Sequence, residues 1–109
     1  MILGIGTDIE EIKRFKKVSK NFLSLVFSKK EIEYCNSKKE PSLSFAGKFC
    51  AKEAIIKAYK TNISMKDIEV LLDKNKKIIV YIRGKPHKNI FCSIAHTQKN
   101  AIAFATIGG

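Results

Sequence analysis

The sequence predicts an α+β domain in which a small antiparallel sheet packs against one long central helix. Apolar residues recur at three- and four-residue spacing through the first half of the chain, and short β-rich runs take over after Ser64. The longest helical stretch, Ser42 to Lys60, lies between the two regimes, where it can cover the sheet that follows. At 109 residues, with 45% hydrophobic and 28% charged, the chain has globular composition and suits a single domain over residues 1–109. No apolar run approaches the roughly 18 to 20 residues of a membrane helix, and "MILGIG" lacks the basic start and long apolar stretch of a secretory signal. A soluble cytoplasmic protein with no membrane partner is expected.

Each element has its own signal. Met1 to Gly6 reads as a strand ending at two glycines, with Asp8 just beyond it in a turn. From Ile12 to Phe27 the positions Ile12, Phe15, Val18, Phe22, Leu25 and Val26 mark one amphipathic helix or two short ones. Ser28 and Glu31 have capping-box spacing, so a short helix should follow through Cys35. Pro41 then breaks the chain before the central helix, in which Gly47 costs about 1 kcal/mol relative to Ala and so marks close packing. "DIEVLLD", "KIIVYIRG", "IFCSIAH" and "AIAFATI" read as strands of one antiparallel sheet joined by the short turns "KNKK", "KPHKN" and "TQKN".

Composition narrows the function without choosing it. Cys35, Cys50 and Cys92 are odd in number and form no C-x-x-C pattern, which points to buried thiols rather than to disulfides or a zinc site. A net charge of +11 favours an acidic partner: nucleic acid, a phosphorylated small molecule, an anionic membrane or an acidic protein. Taken singly, the clusters "KRFKK", "SKK" and "DKNKK" also suit plain solvated faces.

Two carboxylates stand out against that basic background. Asp8, taken alone, fits a turn or helix cap. Glu53 lies within about 60° of Ala46, Phe49, Cys50, Ile56, Lys57 and Lys60 on the helical wheel, so it projects from a largely apolar stripe. Burying an unpaired carboxylate costs several kcal/mol. Lys57, four residues on, is the simplest counter-ion, but an exposed pair of that kind contributes only about 0.3 to 0.5 kcal/mol. A divalent cation shared by Asp8 and Glu53 explains the position better. Mg²⁺ suits it, because this ion takes one or two protein carboxylates and leaves its other positions to water and phosphate oxygens. "SIAHT", residues 93 to 97, adds His96 at a strand end; His87 in "KPHKN" looks ordinary.

Together, "GIGTDIEEIKRF", "FSKKE", "AGKFCAKEAIIKA" and "SIAHT" resemble the holo-acyl-carrier-protein synthases, the small bacterial class of 4′-phosphopantetheinyl transferases, over essentially the whole chain. The resemblance implies a 4′-phosphopantetheinyl transferase-like fold. It implies an enzyme that moves the 4′-phosphopantetheine arm of coenzyme A onto a serine of apo-acyl carrier protein and releases adenosine 3′,5′-bisphosphate. It also implies homotrimers with active sites between subunits, and a role in fatty acid biosynthesis. By the same likeness Asp8 and Glu53 are the Mg²⁺ ligands and Lys57 lies near the coenzyme A pyrophosphate. His96 lines the nucleotide site, and Arg14 belongs to the carrier-docking surface.

On that reading Asp8, Glu53 and Lys57 carry the chemistry, with Asp8 or a water on the metal taking the serine proton. Lys48, Lys57 and His96 bind coenzyme A, and Lys13, Arg14 and Lys17 on the first helix meet an acidic carrier protein, an association that salt should weaken. Lys48 stands where the family usually has Arg, Cys50 replaces a small apolar residue, and Ala95 stands where a second Ser is common. The first of these departures turns a two-pronged phosphate contact into a point charge. Two rivals remain: a small nucleic-acid-binding protein, disfavoured because no helix-turn-helix, zinc or aromatic signature is present, and a metal-dependent phosphohydrolase.

Overall fold

The computed structural model describes residues 1–109. Strand β1 runs from Ile2 to Glu11, a 3-10 helix from Ile12 to Lys16, helix α1 from Lys20 to Val26 and helix α2 from Lys29 to Asn36. The central helix α3 spans Pro41 to Ala58, and a short 3-10 turn, Met65–Asp67, leads into β2, Ile68–Leu72. Strands β3 (Ile78–Ile82), β4 (Lys85–Pro86), β5 (Ile90–His96) and β6 (Asn100–Gly108) complete the chain. No helix is long and apolar enough to cross a membrane.

The α+β class holds, but the strands divide between two sheets. One has the order β1-β6-β5 and the other β2-β3-β4, all pairs antiparallel. The N-terminal strand adds to the C-terminal hairpin rather than standing apart, a long-range pairing that no local pattern announces.

Strand β1 also overruns its expected end at Gly6 by five residues, which puts Asp8 inside a strand and not in a turn. The glycines are there for packing. A Cβ on Gly4 would lie 2.0 Å from the Ala58 carbonyl oxygen, and one on Gly6 would lie 1.9 Å from that of Ala54. The backbone of β1 thus rests directly on the backbone of α3. On the neighbouring strand β6, Ala105 pairs with Gly6, Ala103 with Asp8 and Ala101 with Glu10, and all three alanines are buried and small enough to admit the same helix.

The helical half follows its caps. Ser19 accepts from Phe22 N and starts α1, and the interval Ile12–Phe27 resolves into two short helices. Ser28 and Glu31 form the expected capping box. Pro41 is the first residue of α3 rather than the break before it, since proline lacks an N–H that position does not need. The helix stops at Ala58, two residues short of Lys60. Gly47 faces Ile94 of β5, where a Cβ would sit 3.2 Å from Cγ2.

Glu31 and Lys52, both fully buried, tie the two halves together. Lys52 Nζ donates to Glu31 Oε1 at 2.7 Å, to Val26 O at 2.7 Å and to Met65 O at 3.3 Å. Glu31 accepts in addition from Ser28 N at 2.8 Å and from Val70 N at 2.7 Å. Burial pulls the Lys52 pKa down, against the attraction of Glu31. Cys35 and Cys50 are buried, Cys92 is half-buried, and all three are free thiols.

Candidate active site

Alternation along β1 aims Gly4, Gly6, Asp8 and Glu10 at one face, the face against α3. The glycines bring the helix close and the acids then meet its side chains. Lys57, in the last turn of α3, sets Nζ 3.6 Å from Asp8 Oδ1 and donates to Thr7 O at 2.9 Å. Lys57 therefore answers Asp8, not Glu53 as the i+4 spacing suggested. Glu53 is half-buried, and its side chain makes no ion pair within the chain.

Asp8 itself is incompletely satisfied. Its Oδ2 is buried and has no hydrogen-bond partner. Glu10 lies two residues on along the same strand face, and its pKa is raised first by burial and then by the neighbouring Asp8, while Arg14 works in the opposite direction. A buried carboxylate oxygen beside a second carboxylate calls for a cation or proton. The donor set is all oxygen, which fits a hard cation such as Mg²⁺. No three His, Cys, Asp or Glu side chains gather into a metal cluster.

The basic residues separate by role. Arg14 Nη1 donates to Glu10 Oε1 at 2.7 Å, and its guanidinium lies 5.0 Å from the Phe49 ring centroid and 5.5 Å from that of Phe15. Lys13 is exposed and within 3.8 Å of Glu11. Lys17 is exposed at the end of the 3-10 helix, not on a continuous first helix.

Lys48 and His96 share a cavity of about 260 Å³ between the two sheets, which Tyr34, Val70 and Ile94 also line. Lys48 is buried: Nζ donates to Val70 O and lies 4.7 Å from the Tyr34 ring centroid. Burial lowers its pKa, while Glu31, Cys35 and Glu69 favour its charge. His96 is exposed at the end of β5, with Nδ1 3.1 Å from Thr97 O.

Sequence reasoning missed Glu10. The signal was available, because a strand that continues past Gly6 must turn positions 8 and 10 to the same face. Cys50, expected as a buried thiol, also borders the acids: its Sγ donates to Ala101 O at 3.2 Å, and burial, with Asp8 and Glu10 nearby, pushes the thiol up to about 12.

Residues 4–106 match the model of the 4′-phosphopantetheinyl transferase superfamily. The holo-[acyl-carrier-protein] synthase of Clostridium botulinum (strain Eklund 17B / Type B) is 45% identical, with 98% of both chains covered. That of Clostridium tetani is 43% identical over 100% of this chain and 98% of its own. Among solved structures, the holo-(acyl-carrier-protein) synthase of Bacillus anthracis in complex with CoA (3′,5′-ADP) aligns with TM-score 0.83 at 31% identity, covering 98% of this chain and 96% of that one. The Neisseria meningitidis enzyme aligns with TM-score 0.85 at 26% identity over the whole of both chains.

Proposed function

Because the chain belongs to the 4′-phosphopantetheinyl transferase superfamily, among its holo-acyl-carrier-protein synthases, we propose that it transfers 4′-phosphopantetheine from coenzyme A to a serine of apo-acyl carrier protein in a Mg²⁺-dependent reaction. The serine oxygen forms a bond to the β-phosphorus, adenosine 3′,5′-bisphosphate leaves with the electron pair of the broken P–O bond, and the serine proton passes to a base. Residues 1–109 act as one transferase domain. The observation that carries this reading is the buried, partnerless Asp8 Oδ2 beside Lys57.

Asp8 and Glu53 would hold Mg²⁺, which when bound offsets the charge of the coenzyme A pyrophosphate. Lys57 is anchored through Thr7 O, and its remaining N–H donors serve the leaving phosphate oxygen. Asp8 accepts the serine proton. Lys48 and His96 bind the nucleotide from their shared cavity, Lys48 as a point charge braced by Val70 O and Tyr34. Arg14, with Lys13 and Lys17, receives the acidic carrier protein.

The outer face of β1, β6 and β5 supports self-association into the homotrimer. Ile5, Ile9, Phe91, Ile102 and Phe104 are 43% to 62% exposed on one face of one sheet. A contiguous apolar surface of that kind marks an interface in a soluble protein. The proposed setting is the cytoplasm, in fatty acid biosynthesis.

The test is mass spectrometry of apo-acyl carrier protein incubated with coenzyme A, Mg²⁺ and this protein, with Asp8→Ala and Glu53→Ala in parallel. The wild type adds the prosthetic arm, and each variant is slower by at least about a hundredfold. Equal rates for all three, or hydrolysis of coenzyme A with no gain by the carrier, overturn the proposal.

A further inference from the structure

Glu10 is a carboxylate that the proposed chemistry does not use, yet it binds a residue of the docking surface and shares a strand face with a residue of the reaction. Its Oε1 binds Arg14 at 2.7 Å, and its side chain is 15% exposed against 51% for Arg14. On β1 it shares with Asp8, two residues back, the face against α3, and Asp8 in turn pairs with Lys57. The result is a row from helix to surface in which two cations flank two neighbouring carboxylates: Lys57, Asp8, Glu10, Arg14. Phe49 and Phe15 hold the outer end of the row, because the Arg14 guanidinium lies against both rings.

We propose that Glu10 is a positioning residue that couples carrier docking at Arg14 to cation binding at Asp8; the inference rests on the roles given to those two residues above. In the free protein Arg14 offsets part of the negative potential that Glu10 adds at Asp8. A carrier carboxylate that binds the free edge of the guanidinium shares its charge, leaves Glu10 less compensated, and strengthens the pull of the site on a divalent cation. Linkage makes the effect reciprocal: a cation at Asp8 draws on Glu10 and frees Arg14 for the carrier. The docked carrier and the loaded site then favour each other without any change in fold.

The probe is Mn²⁺, titrated by water-proton relaxation into wild type, Glu10→Gln and Arg14→Ala, each with and without apo-acyl carrier protein. Affinity of the carrier for each protein is measured alongside. Mn²⁺ bound by the carrier itself is measured with the carrier alone and subtracted from the arms that contain it.

In the wild type the carrier tightens Mn²⁺ binding by about fivefold, and in Glu10→Gln by less than about twofold. A structural role alone would move thermal stability and leave this factor intact. If Glu10→Gln retains the wild-type factor, or the wild type shows none, the inference fails. If Arg14→Ala binds the carrier as well as wild type does, the docking assignment fails first. Should Glu10→Gln not fold, Glu10→Thr, whose β-branched side chain suits a strand, is read in the same way.

Discussion

Helix α3 carries two lysine–carboxylate pairs that stand in opposite conditions. Lys52 and Glu31 are wholly buried, and their bonds run to Val26, Met65, Ser28 and Val70, so the ammonium has three acceptors and both carboxylate oxygens have donors. Lys57 and Asp8 stand 3.6 Å apart, Lys57 is half-exposed, and Asp8 Oδ2 has nothing. The first pair is closed and joins five elements. The second is left open, and an unfinished polar site is where a ligand finds its bonds. Residue type alone does not separate a structural ion pair from a reactive one; completeness of bonding does.

Breaking the closed pair gives the largest effect. Lys52→Met leaves Glu31 buried without a counter-ion and lowers stability by about 3 to 5 kcal/mol, read from the denaturant midpoint. Adding Glu31→Leu recovers part of the loss, since no charge is then stranded. Full recovery is not expected, because Ser28 N and Val70 N also lose their acceptor.

Breaking the open pair has the reverse profile. Asp8→Asn reduces transfer by at least about a hundredfold but leaves the unfolding midpoint unchanged or higher, because repulsion with Glu10 is relieved. A fall in stability comparable to that of Lys52→Met would erase the distinction between the two pairs.

The smallest effect comes from the thiols that border each region. Burial pushes Cys35, near Glu31 and Lys52, and Cys50, near Asp8 and Glu10, each up to about 12 from a usual 9.0. Because the folded values are raised, the protonated thiols contribute stability that is fully present below pH 9.0 and lost as pH rises towards 12. Thermal midpoints followed across that range should fall less steeply in Cys35→Ala and in Cys50→Ala than in wild type.

The capping box at Ser28, a central helix beginning within one residue of its expected start at Ser42 and the antiparallel strands were legible because each depends on neighbours in the chain. The candidate residues Asp8, Glu53, Lys57, Lys48 and His96 were legible as chemistry, and the structure joins Asp8 to Lys57 and Lys48 to His96. What stayed hidden is tertiary. Gly4 and Gly6 look like strand terminators until a helix backbone is laid on them. Glu31 fills its capping role and a buried ion pair at once, and only the second requires Lys52. Lys57 had two acids within reach, and the direction of β1 decided between them.

The main-chain clasp at Gly4 and Gly6 has a bearing on how such a protein can vary. Where most helices are spaced from a sheet by side chains, whose volumes change with every substitution, here two polypeptide spines abut with no adjustable filler between them. The offset between an acid on the strand and a lysine on the helix is then calibrated by peptide geometry alone. Much of the remaining sequence can drift while that ruler keeps its length.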